Sequence, residues 1–141
     1  MIEKTTLVVT SVAAPTECMK RLAVCARERA IPFLCVGDAS SPPDFVLDGC
    51  DFLSLDAQRR LPFALARIAP ERHYARKNIG YLQAMAQGAE FILETDDDNF
   101  PVNGFWDLPP ADDLVTVRGM GWFNIYHWFG ADAWPRGFPL G

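Results

Sequence analysis

The chain has 141 residues and a mass of 15.7 kDa, which suits one domain with a real core. Half of its residues are apolar and 22% are charged, an ordinary globular composition that argues against disorder. Thirteen basic against eighteen acidic residues leave a net charge of −5 and a pI near 4.9, which demotes nucleic-acid binding, and no apolar run approaches the roughly 18 residues of a membrane span.

Residues 5–11 are β-branched and nearly continuous in apolarity, as in a buried parallel strand. A signal peptide fits worse, because Glu3 offsets Lys4 and Thr5, Thr6, Thr10 and Ser11 interrupt a short apolar run. Pro15 and Thr16 open a helix to about Arg29, with Met19, Leu22, Ala23 and Ala26 on one face and Cys18 and Cys25 joining it. A second strand over 32–36 ends at Gly37 and Asp38, and Ser40, Ser41, Pro42 and Pro43 form a loop. A short strand over 51–55 leads to a helix capped by Asp56, with Leu61, Leu65 and Ile68 on one face and Pro62 in its first turn or at a kink. The next helix spans about 74–87, carries Ile79, Leu82, Met85 and Ala86, and stops at Gly88. A strand over 90–95 runs into the acidic turn, and residues 114–117 read as a further strand. The four cysteines, Cys18, Cys25, Cys35 and Cys50, form no CxxC pair. They read as reduced, mostly buried thiols of a cytoplasmic protein, with a disulfide framework as the alternative.

Strands alternating with helices predict an α/β fold with a mainly parallel sheet. Ligands of such sheets bind at the carboxyl ends of the strands, where Thr10 and Ser11, Gly37 and Asp38, and the acidic residues 96–99 all fall. Side chains alternate in extended chain, so Asp96 and Asp98 can share a side. Two such carboxylates suit Mg²⁺ or Mn²⁺, which takes phosphate oxygens and water as its other ligands. Asp97 or Asn99 is then free to reach a ribose or sugar hydroxyl. The same turn also suits a solvated acidic loop.

Arg72, His73, Arg76 and Lys77 cluster at the start of the helix before the acidic strand. Cations at a helix N-terminus are disfavoured unless an anion docks there, so the cluster suits a phosphate cradle. Surface ion pairs, with Glu71 among the partners, are the alternative. A metal site beside an anion site is explained jointly by a metal-bridged diphosphate. The chain has no P-loop motif and no GxGxxG after its first strand. His73 reads as part of the basic cluster and His127 as a packed side chain. No residue stands out as a catalytic base.

The blocks Ala75-Arg76-Lys77-Asn78-Ile79-Gly80-Tyr81-Leu82, Gly88-Ala89 and Glu94-Thr95-Asp96-Asp97-Asp98-Asn99 together resemble the STELLO-like glycosyltransferases. Trp134-Pro135-Arg136-Gly137-Phe138-Pro139-Leu140 fits the same group's pattern. A more distant likeness is to the reversibly glycosylated polypeptides, which act as UDP-arabinopyranose mutases. The resemblance covers most of the chain. It implies a Rossmann-like GT-A fold, in which a parallel sheet flanked by helices binds a nucleotide-sugar, typically a UDP-sugar. It implies further that Asp96 and Asp98 hold Mn²⁺ or Mg²⁺ on the diphosphate, with Asp97 between them. Thr10 and Ser11 would lie near the nucleoside, Asp38 would face the base or ribose, and Arg76 and Lys77 would approach the diphosphate.

A GT-A domain is normally longer than this chain. The expectation is therefore a single domain over 1–141 that is the N-terminal part of a full one. It would act on an unknown acceptor, with a homo-oligomer or a partner supplying the missing half. The alternative is a non-catalytic nucleotide-sugar-binding module, or a mutase-like relative, within a complex. Trp122, Phe123, Tyr126, Trp128, Phe129 and Trp134 are expected mostly to pack the core, and any exposed ones to mark an acceptor platform or an interface.

Overall fold

Four parallel strands make one sheet in a computed structural model that describes residues 4–107, 118–119 and 124–133. Strand β1 (Thr5–Thr10) lies inside, hydrogen-bonded to β2 (Phe33–Val36) on one side and β4 (Phe91–Glu94) on the other. Strand β3 (Asp51–Leu53) adds to β2, giving the order β3-β2-β1-β4. Leu7 stands opposite Phe33 and Leu93, and Val8 opposite Leu34 and Glu94. The α/β class and the mainly parallel sheet are therefore those the sequence predicts.

The two faces of the sheet follow from the alternation of side chains along β1 and β2. Leu7, Val9, Phe33 and Cys35 pack with helix α1 (Glu17–Glu28) through Met19, Leu22, Ala23 and Ala26, the stripe read from the sequence. Thr16 caps this helix, its hydroxyl accepting the Met19 N–H at 3.1 Å. Cys18 is buried there and Cys25 is half-buried. All four cysteines are free thiols. A hydrogen bond with Cys50 and burial push the Cys35 thiol far above its ordinary value. Val8, Leu34 and Val36 cover the other face with Ala84 of helix α4 (Lys77–Ala86).

The helix expected from Asp56 to Ile68 is two helices. Helix α2 (Leu55–Arg59) ends before Pro62, and α3 (Ala64–Ile68) begins after it. Pro62 lacks the N–H that a continuous helix would need, so the chain breaks rather than kinks. Ser54, not Asp56, is the α2 cap, its hydroxyl accepting from Ala57 at 3.2 Å. The break also turns the face, so that Ala66 is buried while Ile68 is exposed. Residues 74–76 form a 3₁₀ turn that leads into α4. Met85, expected on the buried side of α4, is exposed. Among the described residues strand β4 pairs on one side only, with β1, and its faces are half-open, Phe91 being 51% exposed.

The chain divides into two compact units, residues 1–108 and 109–141. The first holds the sheet. The second contains α5 (Ile125–Trp128), capped by Asn124 accepting from the N–H groups of Tyr126 and His127. Tyr126, His127, Trp128 and Phe129 are exposed, so the expectation that these side chains pack in a core is not met. The strand expected over 114–117, together with Trp122, Phe123 and Trp134, lies outside the described residues.

Gly80 fixes how closely α4 can approach the sheet. A Cβ there would stand 2.6 Å from Val36 Cγ2 and 2.8 Å from Val8 Cγ1. Gly80→Ala is expected to cost about 1–2 kcal/mol, since overpacking outweighs the gain in helix propensity. Urea unfolding that gave an unchanged or higher midpoint would show that α4 does not rest on the sheet at this point.

Candidate functional site

The carboxyl ends of β1, β2 and β4 open into a cavity of about 510 Å³. Thr10, Ser11, Gly37, Asp38, Arg72, His73, Tyr74, Arg76, Asp96, Asp97 and Asp98 line it. The structure thus brings together seven of the eight residues singled out for the site, the exception being Lys77, which stands behind Asp96.

Ser11 is the hub on the β1 side. Its hydroxyl donates to Asp97 Oδ2 at 2.5 Å and accepts the Ala13 N–H. The Asp97 carbonyl accepts from the Thr16 hydroxyl at 2.6 Å, which ties the acidic turn to the start of α1. Ser41 joins the loops after β1 and β2, donating to the Ser11 carbonyl at 2.8 Å and accepting the Asp38 N–H at 2.9 Å.

Asp38 faces its own protein. One carboxylate oxygen accepts the N–H groups of Ala39 and Arg72 at 2.7 and 2.9 Å, and the other accepts that of His73 at 3.0 Å. Burial opposes ionisation here, but these three donors and the nearby Arg76 charge outweigh it and hold the carboxyl below its ordinary value. The contact clamps residues 72–73 onto the end of β2.

Arg76 and Lys77 are each 3% exposed, and both are engaged inside the fold. Arg76 donates from Nε and Nη2 to Gln58 Oε1 at 2.9 and 2.6 Å, and from Nη1 to the Ala69 carbonyl at 2.9 Å. Gln58, fully buried, donates in turn to the carbonyls of Gly37 and Leu53 at 2.8 and 2.7 Å. Lys77 pairs with Glu94 and Asp96, with its ammonium 3.0 Å from Asp96 Oδ1 and 3.1 Å from the Thr95 carbonyl. Burial would lower the Lys77 value, but its bonds to Glu94, Asp96 and Tyr74 raise it well above the ordinary one. The Tyr74 hydroxyl donates to the same Asp96 oxygen, and this bond raises the Tyr74 value. Tyr74 and Lys77 together hold Asp96 below the usual carboxylate range.

Gln58 and Tyr74 were missed in the sequence. Gln58 lies between an aspartate and two arginines in a short helix, where nothing marks it as buried. Tyr74 could have been suspected only from its place beside the basic cluster. Arg72, a member of that cluster, is exposed and lines the cavity. Its guanidinium has no hydrogen bond or ion pair among the described residues.

Among the described residues, one oxygen of Asp96 is taken and the other accepts no hydrogen bond, and no donor reaches the exposed Asp98 carboxylate. The donor set therefore fits a hard divalent cation, held by two carboxylates with phosphate and water as the other ligands. Among the described residues no three His, Cys, Asp or Glu side chains form a complete cage. No helix among them is long and apolar enough to cross a membrane.

An open parallel sheet with a polar cavity beyond its strand ends is an α/β arrangement whose ligands, in other such sheets, bind at that end. No protein-family model matches the chain. Two Arabidopsis thaliana proteins named as probable glycosyltransferases, STELLO1 and STELLO2, are each 32% identical to it over a 151-residue alignment. The alignment covers 95% of this chain and 19% of each relative. Over nearly its whole length the chain is thus related to the STELLO-like glycosyltransferases, and it spans about a fifth of the length of these relatives.

Two measurements test this account of the site. Gln58→Leu would leave a buried guanidinium and two strand-end carbonyls short of partners, and is expected to destabilise by about 2–4 kcal/mol. A loss below 1 kcal/mol in urea unfolding would show the network to be dispensable. The second concerns pH. Asp38 and Asp96 are lowered from 3.8, so the stability they give is present above that value and is lost as pH falls through their folded values. The raised Lys77 contributes at all lower pH and is lost only in strong alkali. Stability is therefore expected to be level near neutrality and to fall in acid, with Asp96→Asn making the acid limb shallower. Identical acid limbs for the two proteins would contradict the ion-pair assignment.

Proposed function

We propose that this chain forms the donor-binding part of a metal-dependent glycosyltransferase acting on a nucleotide-sugar, with a UDP-sugar as the donor class. The observation that carries the reading is the convergence of the acidic turn, the end of β1 and residues 72–76 on one cavity. Asp96 and Asp98 would hold Mn²⁺ or Mg²⁺ with their open oxygens. When bound, such an ion supplies Lewis-acid stabilisation of the departing diphosphate.

The chain's own residues have separate tasks in this reading. Lys77 and Tyr74 fix the orientation of Asp96 through one of its oxygens and leave the other exposed to the cavity. Ser11 holds Asp97, so that Thr10, Ser11 and Asp97 present oxygens to hydroxyls of the nucleoside or sugar. Arg76 adds positive potential from below without giving up its internal bonds. Asp38 shapes the floor on which base or ribose would rest.

Titration calorimetry with UDP, with and without Mn²⁺, tests the proposal. Binding is expected to strengthen with Mn²⁺, and Asp98→Ala is expected to weaken it about tenfold or more while abolishing the metal effect. UDP binding that ignores both the metal and Asp98 would overturn the metal assignment. Metal-dependent binding without sugar transfer to any acceptor would favour a binding module that works within a complex.

A further inference from the structure

We infer that Arg72 is the side chain that grips the diphosphate of the ligand, and that Asp38 is the positioning residue that aims it. This rests on the reading of the cavity as a nucleotide-sugar site and assigns the anion contact within it.

The first ground is a count of available donors. Four carboxylates line the cavity, those of Asp38, Asp96, Asp97 and Asp98. A diphosphate entering such a space needs fixed cations with unused N–H groups. Lys77 spends its ammonium on Glu94, Asp96, Tyr74 and the Thr95 carbonyl. Arg76 is buried and directs three N–H groups to Gln58 and Ala69. His73 uses Nδ1 to accept the Ala75 N–H. Arg72 lines the same cavity, is exposed, and its guanidinium makes no hydrogen bond or ion pair among the described residues.

The second ground is the backbone. Arg72 has φ +54°, a left-handed conformation that is strained for a residue with a side chain. The Asp38 carboxylate enforces it by accepting the N–H groups of residues 72 and 73. Among the described residues, no hydrogen bond or ion pair of the Arg72 side chain compensates the strain. Such conformations persist where the surroundings impose them, and they cluster at ligand clamps. A glycine would serve the turn alone with less strain, whereas arginine adds a planar fork matched to phosphate oxygens.

Calorimetry with three probes, inorganic pyrophosphate, UDP and uridine, each with Mg²⁺, tests the assignment. Arg72→Met is expected to weaken pyrophosphate and UDP about tenfold or more and to leave uridine unchanged, with Arg72→Lys recovering part of the loss. Asp38→Ala should weaken pyrophosphate to a similar degree, and the double variant should be no weaker than Arg72→Met alone. Arg72→Gly should raise the melting temperature while lowering pyrophosphate affinity, a split that a purely structural role would not give. If Arg72→Met binds pyrophosphate and UDP like the unaltered protein, the inference is wrong and the nucleotide-sugar reading stands. Arg72-dependent binding of pyrophosphate without any binding of UDP keeps the inference and removes that reading. An unaltered protein that binds neither overturns both, and undiminished pyrophosphate binding by Asp38→Ala removes the positioning role.

Discussion

Two adjacent cations buried at one helix start set the geometry of this domain. Arg76 and Lys77 come from consecutive residues, so they must leave the chain in different directions. Arg76 reaches Gln58 and Ala69, and through Gln58 the carbonyls at the ends of β2 and β3. Lys77 reaches Glu94, Thr95 and Asp96 at the end of β4. Isolated charges in an apolar interior cost several kcal/mol, so neither cation is tolerable without these partners. Satisfying them pulls the carboxyl ends of three strands toward one helix start, and the cavity is the space left above that junction.

The same pairing explains how an acidic turn survives at a sheet mouth. Asp96 rests on Lys77 and Tyr74, Asp97 on Ser11, and Asp38 on three backbone N–H groups. Each anion is matched by a donor that belongs to a different strand end or loop. Electrostatic satisfaction and loop positioning are thus one set of contacts. The acidic residues stabilise the mouth they line rather than straining it, and Asp98 is the one of them with no donor among the described residues.

Hydrophobic periodicity made much of the architecture legible. The β-branched run of β1 and the Met19, Leu22, Ala23 and Ala26 stripe are both patterns of burial, and burial is what periodicity encodes. The clustering of the three strand ends followed from the α/β class alone. The break at Pro62 and the Ser54 cap were not resolved, because a proline near a helix start fits both a first turn and an interruption. The roles of Arg76 and Lys77 were less legible still. Sequence spacing placed them beside the acidic turn but could not show whether their charged ends meet a ligand or the protein. Gln58 left no trace in the sequence, since its buried state depends on a partner 18 residues away.

The division between occupied and open groups gives the site its chemical meaning. A side chain already held by several internal bonds is rigid and oriented, and it loses those bonds if it turns to a ligand. Arg76, Lys77 and Asp38 are in that position, so they act by holding other groups in place. Open groups contact a ligand without losing internal bonds. Among the described residues around this cavity these include one oxygen each of Asp96 and Asp97, the Asp98 carboxylate and the Arg72 guanidinium. Open carboxylate oxygens beside one open arginine, on a scaffold fixed from beneath, suit a ligand that carries negative charge together with its own counter-ion. On the proposed reading a metal-bound diphosphate would have that character: Asp96 and Asp98 would hold the ion, and Arg72 would bind phosphate oxygens. A neutral sugar or a bare anion would leave one of the two charged sides unmatched.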